Sequence, residues 1–538
     1  KGIAINEKAH GMMYGNFAKG IEVTNCNGPI YIRNFFVNSS DHHADGVAVF
    51  NSNDLWLENC ASINNKVGFN LVNSKVFVNR GIAAYRNYGV DASNNRKTGY
   101  WLASIRKPFS DDGAGLKAVN SEIIFNTASS IYGRQGSDQA TLGAFEHDVY
   151  PKEFLINFSR NSFGLKLDNS VLRGGWAGRV SDSSYYLSSF DFNVELSDEC
   201  GIHSRNSTID LDGRLKVYSN NIGILLEDSK AIVNECVIMG NQHEGIHAIN
   251  SNIQYNRNLQ KLVVGESNDE YQFDFSGNGR HLVLDQGSSF VPTVASAMPS
   301  RYGQMRFLNH HGISTSSLVE TARILPPVVV QNNSNATLVH PIIKSFSCRE
   351  DLRNNIASGV PMAGECLSVT NNSKVLLQGS INGATVIYGS TDGFSNVESY
   401  NAHKHSAGIH VSDNSQIECN GPTVLFNFGV DILAKNNSII NFNPHKKYDS
   451  DVLDTSGWDL ADAKNHTSVE LHSTNTCLVA KDNSTINMKD LGDYHACWST
   501  GTGTNSEYPD YETGLGGFNT SAYTHGGSMQ FYPNPVGN

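Results

Sequence analysis

Three aromatic residues, Tyr31, Trp56 and Phe77, hold the middle place in three short apolar triplets: Ile30-Tyr31-Ile32, Leu55-Trp56-Leu57 and Val76-Phe77-Val78. Side chains alternate between faces along a strand, so the middle residue of each triplet turns outward. If the triplets pair as neighbouring strands, the rings form one outward stripe, on which flat sugar rings could stack or which a partner chain could cover. The same triplet place later holds Asp210, Ile232 and Gln254, so the stripe is local. A fourth aromatic, Trp458, stands among Asp451, Asp454 and Asp459 in "DTSGWDLAD", where an aromatic beside acids suits a sugar site.

Cleaving a glycan takes two carboxylates roughly 5–10 Å apart. The sequence offers Asp41 and Asp45 around His42-His43, Asp191 with Glu195, the acids around Trp458, and Asp111-Asp112 in "SDDGAG". Asp111-Asp112 also reads as a turn and the acids around Trp458 as part of a surface insertion covering the core, so no catalytic residue is assigned. "SSDHHADG" combines His and Asp, which can share a metal ion, but an ordinary corner loop explains it as well. "RGGWAGR", from Arg173 to Arg179, suits contact with a sugar or an acidic polymer, and equally an exposed turn. No cofactor or metal site is expected.

The elements that would position these residues come from a repeat. "GIHSRNSTIDL", "GILLEDSKAIV" and "GIHAINSNIQY" begin at Gly201, Gly223 and Gly245, 22 residues apart. Copies start at Gly46, Gly68, Gly115 and Gly164, a weaker one at Gly89, and later ones at Gly408, Asp431 and Cys477. The period is too short for pairs of helices. The apolar spacing of two is that of strands. Asn and Asp tolerate left-handed backbone and Ser bonds locally, so Asn-Ser marks a corner between strands, and the glycine is expected to supply a bend at the strand start. The expected fold is all-β: a right-handed parallel β-helix solenoid of about 21–22 residues per coil, three short strands each, with loop insertions. Regular coils are expected over 1–254 and a less regular stretch with insertions over 255–365. Coils resume over 366–498, broken by an insertion at 443–466, and a Gly/Tyr/Asn-rich tail or cap covers 499–538.

Composition narrows the function classes. The net charge is −12, which argues against nucleic acid as partner. No run of apolar residues is long enough to span a membrane as a helix. The nine cysteines form no CxxC and are expected as free, buried thiols, in keeping with folding in a reducing compartment. The chain begins at Lys1 inside the repeat pattern, so it reads as part of something longer.

With its Gly/Asn-rich coils, the chain resembles the pectin-lyase-like superfamily of right-handed parallel β-helices, and within it the bacteriophage tailspikes and other virion β-helix proteins. That resemblance implies a homotrimer or contacts with other virion proteins, assembly in the host cytoplasm, and a place in the virion. The function it implies is recognition of bacterial surface polysaccharide. A polysaccharide depolymerase of the same fold, lyase or glycoside hydrolase, is the alternative; an adhesin at the cell surface is a second. The superfamily's polygalacturonase motifs, Asn-Thr-Asp, Gly-His-Gly and Arg-Ile-Lys, are absent, and nothing else in the sequence commits the chain to catalysis.

Overall fold

The computed structural model describes residues 11–14, 19–39, 44–87, 113–126, 156–174, 191–255, 273–292, 305–308, 313–314, 322–345, 362–379, 384–389, 405–443, 469–491, 496–499, 522–525 and 528–533. All regular structure among them is β-strand. The chain forms a parallel β-helix and divides into two compact units. One comprises Lys1–Gln242 with Ser251–Asn256, the other His243–Asn250 with Arg257–Asn538.

In the first unit each coil supplies three strands, and each strand pairs in parallel with its equivalent in the next coil. The first strands run Lys19–Thr24, Asp45–Phe50, Val67–Val72, Ala114–Val119, Phe163–Asp168, Cys200–Arg205 and Ile222–Glu227. The second and third are often one bent strand, as in Leu55–Ile63, where Asn59 turns the corner at φ 50°. Inward positions stack the same kind of side chain coil after coil: Val47, Phe69, Leu116, Leu165 and Ile202 are all buried. The register steps from Gly68 directly to Gly115; Gly89, a weaker copy in sequence, lies outside the described residues.

Between first and second strands stands the Asn-Ser corner. Asn51, Asn73, Asn120, Asn169, Asn206 and Asp228 all take left-handed backbone, φ 47° to 49°. Their side chains form an exposed amide ladder: Asn73 donates to Asn51 (3.1 Å), Asn120 to Asn73 (3.1 Å) and Asn169 to Asn120 (2.6 Å). The following serines are buried and form a second ladder. Each backbone N–H donates to the next coil's hydroxyl, from Ser52 to Ser74, Ser121, Ser170, Ser207, Ser229 and Ser251. Each hydroxyl in turn donates to the carbonyl two residues before it, as Ser74 does to Val72 at 2.7 Å. A tight corner, which would strand backbone groups in the interior, thus satisfies them from neighbouring coils.

The repeated glycine differs from expectation. None of Gly46, Gly68, Gly115, Gly164 or Gly201 has positive φ, so it supplies no left-handed bend. It is there because the next coil passes too close. A Cβ on Gly201 would lie 2.6 Å from the Gly223 carbonyl oxygen and 2.9 Å from the Asn220 amide nitrogen. In the second unit the column passes from Gly245 to His281, and further along it holds Cys366, Gly408 and Asp431; these three side-chain-bearing residues are fully buried.

The coils tolerate interruption unevenly. In the first unit residues 88–112 join a third strand to a first, while 127–155 and 175–190 join second strands to third. In the second unit 346–361 and 390–404 join third to first, and 293–304 and 444–468 second to third. Among the described residues the Asn-Ser corner stays short from coil to coil. One antiparallel pairing occurs among the described strands, Ile313–Ser314 with Arg323 and Ile324.

The cysteines pack as small apolar groups. Among the described cysteines, Cys60, Cys200, Cys236, Cys366 and Cys419 are buried and Cys26 is half-buried, and these six form no disulfide. Burial pushes the Cys60 thiol up to about 12.

Candidate functional site

The second strands of the first unit carry the outward stripe. Tyr31 pairs with Trp56, Trp56 with Phe77, Phe77 with Ile124 and Ile124 with Arg173. Beyond Arg173 the column turns polar and mixed, through Asp210, Ile232 and Gln254. The Tyr31 and Trp56 rings stack at 6.0 Å and 24°, the Trp56 and Phe77 rings at 4.5 Å and 13°. Two rings so close cannot lie side by side, so Trp56 and Phe77 meet face to face along the coil axis. Those faces are covered. What the stack turns outward is its rim, with Tyr31 41% exposed at one end. The Arg33 guanidinium lies over the Tyr31 ring (5.0 Å) and the Lys75 ammonium over Phe77 (5.5 Å). The Trp56 indole N–H donates to Asp54 at 2.7 Å.

Beside the stack runs an open groove of about 610 Å³. One side is the amide ladder of Asn73, Asn120 and Asn169. Lys75, Glu122 and Arg173 line the other. The Lys75 Nζ is 2.9 Å from a Glu122 oxygen, whereas the Arg173 Nη1 is 3.7 Å from the other. Lys75 therefore joins stack and groove. Glu122 and Val171 follow Lys75 in register, one per coil. Matched Asn-Ser corners at 73, 120 and 169 are the sequence signal that aligns these residues. Of the three charged ones, only Arg173 stood out in sequence.

The remaining sequence candidates scatter. Trp458, Asp451, Asp454, Asp459, Asp41, Asp111 and Asp112 lie outside the described residues. Asp45 accepts a hydrogen bond from Asn70 at 2.8 Å. Asp191 and Glu195 share one strand, Asp191–Glu195, with their Cα atoms about 13 Å apart at 3.3 Å per residue. Among the described residues no group of three or more His, Cys, Asp and Glu could hold a metal ion. None forms a helix long and apolar enough to cross a membrane.

A second polar cluster lies in the second unit. Glu365 and His410 approach to 3.0 Å and are largely buried. Burial pushes the Glu365 carboxyl up. The charges of His410 and Lys435 and hydrogen bonds from His410 and Ser368 outweigh this and hold it below its usual range. Depressed in the folded state, this carboxyl stabilises the fold above its unfolded value of 4.5, and that contribution is lost as pH falls through the folded value. Glu365→Gln is thus expected to lower stability by about 1–3 kcal/mol at pH 7. The deficit should shrink in urea titrations toward pH 3; a deficit constant with pH would rule out the ion pair as its source.

No family model, no curated protein and no solved structure matches this chain.

Proposed function

We propose that this chain is the β-helical body of a tailspike-like virion appendage that recognises bacterial surface polysaccharide. The groove beside the aromatic stack is the observation that carries this reading. Planar amides, a carboxylate and a guanidinium along one trough are the groups that hydrogen-bond ring hydroxyls in pairs, and the stack's rim supplies apolar contact. The trough borders the Asn-Ser corner, which stays short among the described residues. Association as a homotrimer or with other virion proteins belongs to the same reading. Binding is favoured over cleavage because, among the described residues, the groove lining brings a single carboxylate, Glu122, where hydrolysis takes two.

The test is a column of immobilised host surface polysaccharide, with the eluted polymer sized by chromatography. Retention with polymer of unchanged length is the expected result. Shortened polymer would make the protein a depolymerase. Absence of retention on any host glycan would end the recognition reading.

A further inference from the structure

The groove's charge points to a narrower ligand. We infer that it selects a polysaccharide whose repeat carries a carboxylate, laid along the coil axis at about one sugar per coil. This rests on the polysaccharide reading above. The whole chain carries a net charge of −12 and repels polyanions at long range. The groove reverses that sign, since two cations, Lys75 and Arg173, face one anion, Glu122.

The two cations are not equivalent. Lys75 sits at hydrogen-bonding distance from Glu122 and over Phe77. Arg173 stops at 3.7 Å, beyond a hydrogen bond, with 57% of its side chain exposed. Glu122 is its one charged neighbour within ion-pair range among the described residues. Its guanidinium is oriented by that attraction without being consumed by it. The forked donors of a guanidinium match the two oxygens of a carboxylate better than a lone hydroxyl.

The opposite wall supplies the neutral half of the recognition. Along the ladder each amide gives one N–H to its neighbour's oxygen and keeps a second N–H and a lone pair for a sugar hydroxyl. These amides repeat once per coil, at the strand spacing of about 4.8 Å. That step is close to the length of one pyranose in an extended chain. A polymer along the axis would thus place successive rings against successive amides, with an acid group reaching Arg173.

The experiment uses the full chain and two single variants, Arg173→Gln and Glu122→Gln. Both residues are surface groups, and equal urea midpoints for the three proteins check the fold. The probes are the host polysaccharides and a polyuronate, each native and after reduction of its carboxyls to alcohols, with polyaspartate as a non-sugar polyanion. Acid-bearing glycans should be retained and their reduced forms lost. Arg173→Gln should weaken binding tenfold or more, and Glu122→Gln should strengthen it severalfold. Equal retention of native and reduced polymer, or weakening by both variants, would overturn the acid-glycan inference and leave polysaccharide recognition standing. Polyaspartate bound as tightly as the glycans would overturn it in favour of an acidic protein partner. Retention of no glycan would remove both readings.

Discussion

Gly115→Ala should destabilise the protein by about 3 kcal/mol or more, at the upper end of overpacking substitutions. The added Cβ would lie 2.7 Å from the Gly164 carbonyl oxygen, 2.8 Å from the Asn161 amide nitrogen and 3.0 Å from a Phe158 ring carbon. None can retreat cheaply. The carbonyl belongs to the backbone of the next coil, the amide to a buried ladder, and Phe158 is fully buried. Damage in a solenoid stays near its origin, so the surrounding coils should loosen first. Urea unfolding with limited proteolysis would show this as a lower midpoint and new cleavage between residues 67 and 174. Gly28→Ala is the control, since no atom lies within 4 Å of its Cβ position. It should stay within about 0.5 kcal/mol of the parent. Equal behaviour of the two variants would refute close coil approach as the reason for the glycine column.

Asn87→Ala should cost about 2–4 kcal/mol, because it strands backbone groups that no water reaches. The Asn87 amide oxygen accepts the Asn65 backbone N–H at 3.0 Å. Its amide nitrogen donates to the Ser62 carbonyl at 3.2 Å and to the Asn161 side chain at 3.0 Å. All four residues are buried. Asn73→Gly, in the exposed ladder, keeps the left-handed backbone at φ 49°, removes two bonds of similar length but leaves their partners to water, and should cost only about 1 kcal/mol. Hydrogen exchange gives an independent readout: the Asn65 amide should exchange far faster in Asn87→Ala. Unchanged protection there, or equal losses for the two variants, would mean that the inner ladder contributes no more than the outer one.

The fold was legible because its marks are local. Apolar spacing of two, left-handed Asn and the 22-residue return of Ser52 to Ser74 can all be counted along the chain. The order Tyr31, Trp56, Phe77 followed from the same count. The role of glycine was not legible, since the atoms that exclude a Cβ from Gly115 belong to residues 158, 161 and 164. Nor was the choice between Gly89 and Gly115. Spacing favoured Gly89, but a full Asn120-Ser121 corner follows Gly115, and the serine ladder runs through it across 47 residues. In the second unit the pattern faded because His281, Cys366 and Asp431, all buried, take the glycine place, although a Cβ on Gly408 would still lie 2.8 Å from the Asp431 carbonyl oxygen. The groove was hidden for the opposite reason. Lys75, Glu122 and Arg173 look unrelated in sequence until the long connections between their coils are removed.

The serine ladder also has a direction. The Ser74 backbone N–H looks forward to Ser121, Ser121 to Ser170 and Ser170 to Ser207. A coil's own polar requirement is therefore met by chain that the ribosome delivers afterwards. During synthesis the newest coil always ends in an unmet donor and an open strand edge, and the arriving segment is the partner that fits both.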